Sequence, residues 1–549
     1  MSRWIAPMVA ILLLAAHAGL AIDALWSASV TFDETSHLPA GMALVATGEM
    51  RLNPQHPPLV KLLAGLATAP LEPHLPLRSA AYREGREWDF GRRVLFAFGN
   101  DSMALLRAGR LPVVGLSVLA GLAVFLWSRA RFGPAAGCFS LALYAFSPTV
   151  LGHAGIVTMD AAASAGAMAT LGLWWVVQRR ATSLLRELGL GVALGCALAA
   201  KFSTLFLLPA MALTQLVAGD FHSAWKRLRP GQKELRSPAA RCALRLRPWV
   251  VALPVAGLVI ETAYLWPDDP LRYLHDLAFL HGDHPADYVY YLAGEFRTGR
   301  FLAYFPIAMA VKSALPGLAA MLGGLALAAA RPATWRDDVY LWIPAAVWLG
   351  AHCLLADDLG VRYVLPVYPL LFTLAGGLVP AALRLGRAGA AALAIVAGAQ
   401  AGTALLAHPD HLSYFNPAAG GARAGPRWLD DSNLDWGEDV YRLPAWLRER
   451  GIGKVRLLYF GTGVPEAYGV ATEPLLASDW KVLPRPGAYV ISAHWLVHGL
   501  YLAETEGAKS DWLRRYEPTD VLGGSLYLYL FPEREATPIR GAGGGSPGP

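Results

Sequence analysis

The feature that most limits this chain is a series of long apolar runs carrying few or no charges, separated by polar stretches. The first, Trp4 to Ile22, lies between Arg3 and Asp23. A membrane-spanning helix needs about 17 to 25 mostly apolar residues, and this run has that length. Further runs near residues 111–128, 134–152, 158–178, 188–200, 202–219, 248–266, 301–330, 339–356, 363–383 and 388–407 bring the expected number of crossings to about eleven. Only 16% of the 549 residues are charged, against about a quarter in soluble domains. Disordered and fibrous classes are excluded. Cys138, Cys196, Cys242 and Cys353 fall in or beside apolar runs without metal-ligand spacing, which argues against a disulfide or zinc framework. A net charge of +6 is no signature of a nucleic-acid partner.

The lipid bilayer is therefore the first partner, and short-loop cations set the orientation. With the N-terminus inside and the first run kept as an uncleaved anchor, Arg129, Arg131, Arg179, Arg180, Arg186, the block Lys226 to Arg247, Arg331, Arg336, Arg384 and Arg387 all fall on the cytoplasmic side. The parity closes only if residues 188 to 219 cross twice, hinged at Ala200-Lys201-Phe202-Ser203. The expected fold is a polytopic α-helical membrane domain over 1–407, with outward loops at 23–110 and 267–300. An extracytoplasmic soluble α/β domain follows over 408–540, and the Gly/Pro/Ser-rich stretch 541–549 reads as a disordered tail. In the α/β unit, Val455 to Phe460, Ala488 to Ser492 and Ser525 to Phe531 read as strands, and Glu438 to Arg450 as a helix ended by Gly451.

The first outward loop opens Thr31-Phe32-Asp33-Glu34-Thr35-Ser36-His37. Adjacent carboxylates at a membrane surface either face water or have a task, and an ordinary helix cap by Thr31 or Asp33 is the plain alternative. The next stretch, Met50 to Leu62, places Arg51, His56 and Lys61 around the rigid Pro57-Pro58. Lys201, Lys312 and Arg362 recur at the outer ends of other runs, each readable singly as a snorkelling or interfacial cation. Taken together on one side of the membrane they form a pool for an anionic headgroup. Asp160 adds a carboxylate at another outward turn, with a helix cap as its structural alternative. His275, His281 and His284, with Asp276 and Asp283 between them, are a candidate set for a divalent cation, though their spacing fits no tight template. No other cofactor is expected.

Phe32-Asp33-Glu34, Asn53-Pro54-Gln55-His56-Pro57-Pro58-Leu59-Val60-Lys61, Ser147-Pro148 through Asp160 and Lys201-Phe202-Ser203 occur in an order that resembles the GT-C superfamily of membrane glycosyltransferases, the protein O-mannosyltransferase and aminoarabinose transferase group. Tyr304 to Lys312, Arg362 to Pro369, His411 to Pro417 and Asp431 to Gly437 are similar to bacterial phospholipid-carrier-dependent members. The aminoarabinose-transferase pattern has a lysine before the double proline, where this chain has His56. The resemblance implies a polyprenyl-phosphate sugar donor, a catalytic aspartate in the first outward loop, and transfer outside the cytoplasm, here at a bacterial inner membrane. The acceptor, a protein, lipid or glycan, is left open.

The chemistry suits these residue types. A lipid-phosphate leaving group needs no proton, so one carboxylate that deprotonates the acceptor hydroxyl suffices, with cations steadying the departing phosphate. Asp33 is the expected general base, Glu34 its support and Asp160 the lining of the acceptor side. Arg362, His56, Lys312, Arg51, Lys61 and Lys201, in that order, are the candidates for the donor phosphate. The competing class is a transporter or flippase whose buried charges line a pathway.

Overall fold

The computed structural model describes residues 4–180, 183–218, 238–280, 288–331, 334–473, 475, 484–505 and 515–532. His281, Asp283 and His284, the part of the basic block before residue 238, and the tail from Gly541 lie outside the described residues.

Among the described residues, five helices are long and apolar enough to cross a membrane: Ile5–Trp26, Ser102–Phe132, Leu244–Ala263, Trp335–Leu355 and Arg387–Ala407. Shorter apolar stretches occupy Leu59–Leu71, Pro134–Ala145, Phe202–Ala218, Leu315–Ala330 and Val367–Leu383. The expected run at 301–330 is two helices, Tyr304–Lys312 and Leu315–Ala330, because Ser313 and Ala314 are extended before Pro316. The run at 134–152 likewise breaks before Pro148, where the Ser147 side chain caps a new short helix. These breaks account for two of the apolar runs that hold no helix long enough to span.

The first helix is bound into the bundle by a polar contact: buried His17 meets Ser117 Oγ at 2.8 Å and the Ala145 carbonyl at 3.1 Å. Between residues 184 and 218 the chain makes the expected hinge. Leu184–Ala200 ends at Lys201, which is extended, and a 3-10 turn Phe202–Phe206 leads into Leu207–Ala218. Charge pairs mark the two ends of the bundle. At one end Arg131 and Arg179 converge on Asp337, at 2.8 and 2.7 Å. At the other, Lys201 meets Asp160. Helices Ser102–Phe132 and Asp160–Arg179 thus run from the second end to the first.

Residues 27–101 form a cap of short helices at the second end. Glu34–Thr47 and Leu59–Thr68 pack backbone to backbone, which only glycine permits: a Cβ on Gly41 would come within 2.0 Å of the Lys61 carbonyl oxygen, and one on Gly65 within 2.3 Å of that of Gly41. Beyond 408 lies a five-stranded mixed sheet in the order Thr472–Glu473, Val455–Leu458, Gly487–Ser492, Leu526–Phe531, Asp520–Leu522. Gly487–Ser492 is parallel to Val455–Leu458 and antiparallel to Leu526–Phe531, so it is buried as the central strand. The expected helix at 438–450 is shorter, Leu443–Glu449 behind a 3-10 turn, and Gly451 at φ 63° follows it. Proline at its second position starts that helix late. The sheet domain and the cap are joined directly: Ser29 N–H donates to the Glu438 carbonyl at 2.9 Å and Phe32 N–H to that of Trp436 at 2.8 Å.

Candidate active site

Asp33 sits just before helix Glu34–Thr47, yet its side chain makes no capping bond. Its backbone is held from both sides, since the Thr462 hydroxyl also donates to the Phe32 carbonyl at 3.1 Å. The carboxylate is left to face Arg362, whose Nη1 donates to Asp33 Oδ2 at 2.9 Å. It remains 17% exposed.

Glu34, next in sequence, points the other way. It is fully buried, and Arg110 grips both oxygens, Nε to Oε1 at 2.8 Å and Nη2 to Oε2 at 2.7 Å. The amides of Thr31 and Val157 donate to the same carboxylate. Burial pushes its pKa up, but the Arg110 charge and these four hydrogen bonds outweigh that, and the net shift is downward. With its oxygens so engaged, Glu34 is an anchor that fixes the turn carrying Asp33.

Asp160 opens helix Asp160–Arg179 and is equally engaged: Lys201 Nζ donates to Oδ1 at 2.5 Å and Thr158 Oγ1 to Oδ2 at 3.1 Å. Arg362 Nη1 stands 3.8 Å from Asp160 Oδ2, so one guanidinium nitrogen bridges Asp33 and Asp160. The extended backbone at Lys201 is what turns its amine into this cluster. Arg362 is oriented by three further contacts, a bond from Nε to Ser432 Oγ at 3.1 Å and the faces of Trp436 and Tyr363 at 4.4 and 5.0 Å. Lys201 Nζ also lies over the Tyr363 ring, 4.7 Å from its centroid.

The six candidate cations separate. Arg362 and Lys201 enter the cluster, and His56 lies at its edge with its ring 5.1 Å from that of His37. Burial pushes the His56 pKa well below 6.5, and His37, Lys61, Lys201 and Arg362 add positive field in the same direction. Lys61 instead supports the loop beneath His56, donating to the Asn53 and His56 carbonyls at 2.6 and 2.7 Å. Lys312 is buried and donates to the backbone carbonyls of Leu412 and Asn433, tying the bundle to the segment after 408. Arg51 is at the surface, paired with Glu49 at 2.9 Å, and stays outside the cluster.

The structure adds residues that spacing did not single out. His37 stands by Asp33, which raises its pKa against the larger lowering effect of burial, and its Nδ1 donates to the Val157 carbonyl at 2.9 Å. His153 is buried beside Trp436 and, among the described residues, has no hydrogen-bond partner at Nδ1. Ser432 and Trp436 belong to the stretch 431–437, whose motif was visible while its contact with Arg362 was not.

For a metal, His275 is exposed and paired with Asp269 at 2.7 Å, and Asp276 is paired with Arg272 at 2.7 Å. Those pairings draw both away from a shared ion. Among the described residues one other group has ligand-like geometry, Asp430, His494 and His498.

Residues 98–229 match the family model described as dolichyl-phosphate-mannose-protein mannosyltransferase. No curated protein matches the chain. Among solved structures it is similar to apo ArnT from Cupriavidus metallidurans, at 14% identity and a TM-score of 0.49 over 96% of this chain and 98% of that one. It is also similar to the oligosaccharyltransferase of Archaeoglobus fulgidus complexed with Zn and sulfate, at 14% identity and a TM-score of 0.47 over 94% and 72% of the two chains. The Pmt1-Pmt2 protein O-mannosyltransferase of S. cerevisiae aligns with 48% of this chain and 34% of its own, at 16% identity and a TM-score of 0.37. The family match is confined to residues 98–229, and it is this stretch that is similar to the dolichyl-phosphate-mannose-protein mannosyltransferase family.

Proposed function

We propose that this protein transfers a sugar from a polyprenyl-phosphate-linked donor to an acceptor hydroxyl on the extracytoplasmic face of a bacterial inner membrane, with Asp33 as general base. One observation carries the reading: of the three carboxylates expected at the site, Asp33 alone keeps an open face, while Glu34 and Asp160 are enclosed by cations and hydrogen-bond donors. The base takes the acceptor proton as the acceptor oxygen bonds to the anomeric carbon. The bond from that carbon to the phosphate oxygen breaks with inversion, and its electron pair leaves on the lipid phosphate.

The Arg362 bridge couples the two events. While Asp33 is ionised it shares Arg362, and once Asp33 is protonated that attraction falls away. The guanidinium charge is then free to stabilise the phosphate as it departs, which is when charge develops there. Asp160 keeps Lys201 aligned for the same phosphate. His56 and His37 are held neutral by burial and offer hydrogen bonds rather than charge. In this reading the membrane domain over 1–407 receives the lipid-linked donor, and the α/β domain over 408–540 lies on the outer side of the site.

The test uses the purified chain in detergent micelles with a radiolabelled lipid-linked sugar. Label passing to an acceptor supports the reading. Turnover that needs a sealed vesicle with two compartments replaces it with a transporter or flippase.

A further inference from the structure

We propose that Asp430, His494 and His498 form a binding site for one divalent transition-metal ion of the zinc type, which locks the outer sheet domain to the turn that orients Arg362. His494 and His498 are one helical turn apart on Ala493–Thr505, the spacing that puts two imidazoles on one helix face. Their rings stack with centroids 4.5 Å apart and planes inclined by 23°, so both present nitrogen to the same point. Asp430 meets them there, Oδ1 at 3.1 Å from His494 Nδ1 and Oδ2 at 2.6 Å from His498 Nε2. The three ligand atoms lie within 4.8 Å of one another. Neighbouring ligands of a tetrahedral zinc stand about 3.3 Å apart, so small side-chain shifts would seat an ion among them. Two imidazoles and a carboxylate leave a fourth position for water.

A second, independent observation is the local charge. Asp430, Asp431, Asp435, Glu438 and Asp439 crowd one short stretch. Arg442 is committed to Asp439 and Asp410, and Arg362 to Asp33. A bound dication balances Asp430 and Asp431 without drawing on either arginine.

The position gives the ion its role. The Asp430 carbonyl accepts from Asn433 Nδ2 at 2.8 Å, Asn433 Oδ1 accepts the Val361 amide at 2.9 Å, and Ser432 Oγ receives Arg362. The three ligands are thus positioning residues, acting on Arg362 through the turn 431–433. His494 is itself wedged against Phe460, ring to ring at 3.9 Å.

The experiment takes the full chain in detergent, strips it with a chelator and titrates zinc alone, read by calorimetry and by metal analysis after desalting. One zinc per chain is expected, with affinity weakened about 100-fold or more in Asp430→Asn and His498→Ala. Zinc should raise the thermal midpoint of wild type and leave both variants unmoved. Equal zinc retention by wild type and variants, or no zinc-dependent stabilisation of wild type, overturns the proposal. Should the variants fail to fold, X-ray absorption on zinc-loaded wild type decides: two imidazoles and carboxylate oxygen at about 2.0 to 2.2 Å support the site, and a shell of water alone refutes it.

Discussion

Arg362 Nη1 donates to Asp33 Oδ2 across 329 positions of sequence, joining the loop after the first helix to the turn that precedes Tyr363. The same nitrogen lies 3.8 Å from Asp160, so a single guanidinium holds the two carboxylates in one charge-balanced group with Lys201. What can be done to either partner follows from that geometry.

Asp33→Asn keeps a hydrogen-bond acceptor for Arg362 and removes the base. Transfer should fall about 100- to 10,000-fold, the usual worth of a positioned general base. The thermal midpoint in detergent should stay near that of wild type, because the carboxylate is partly open to solvent. Activity within tenfold of wild type would take Asp33 out of the reaction.

Arg362→Lys retains charge but loses the flat face against Trp436 and the fork that reaches Ser432 and Asp33 together. The apparent KM for the lipid-linked donor should rise more than that for the acceptor. Steady-state kinetics with each substrate varied in turn measures this, and the reverse order would assign Arg362 to the acceptor.

Glu34→Gln and Arg110→Ala break a fully buried, doubly bonded ion pair. Each should cost about 3 to 5 kcal/mol of stability, because the remaining partner is stranded without solvent. Unfolding in detergent reads the loss directly. A Glu34→Gln protein that melts like wild type but has lost transfer would instead make Glu34 part of the chemistry.

His37 and His56 both bind a proton less readily in the folded protein than their ordinary value of 6.5, chiefly through burial. The unfolded chain therefore holds more protons below 6.5, and stability is lost as pH falls through and below that value. Above it these two rings contribute no slope. The thermal midpoint followed from pH 7.5 to 5.5 should fall more steeply for wild type than for His56→Gln, and parallel curves would refute the assignment.

A reporter fused after Ala407 tests the orientation. The cap over 27–101 and the sheet domain beyond 408 share one end of the bundle, while Arg131 and Arg179 mark the other. Cation bias sets the latter inside, so the fusion should be active only outside the cytoplasm. Cytoplasmic activity would invert the site.

The apolar runs, the hinge at Lys201 and the principal strands beyond residue 408 are legible in one dimension, as is the presence of Asp33, Asp160 and Arg362 at separate breaks between apolar runs. Hydropathy, helix-breaking proline and strand-forming runs act over a few neighbouring positions, so a linear text carries them. Which charges meet is another matter. Asp33 and Glu34 are adjacent and similar, yet one faces Arg362 and the other Arg110, because opposite sides of one turn pack against different helices. Lys61 and Lys312 looked like phosphate ligands and proved to be buried ties to backbone carbonyls. Asp430 is separated from His494 and His498 by more than sixty positions, with the helix Leu443–Glu449 and three strands between them. Burial and pairing depend on what the rest of the chain brings alongside, and only the packed tertiary structure decides that.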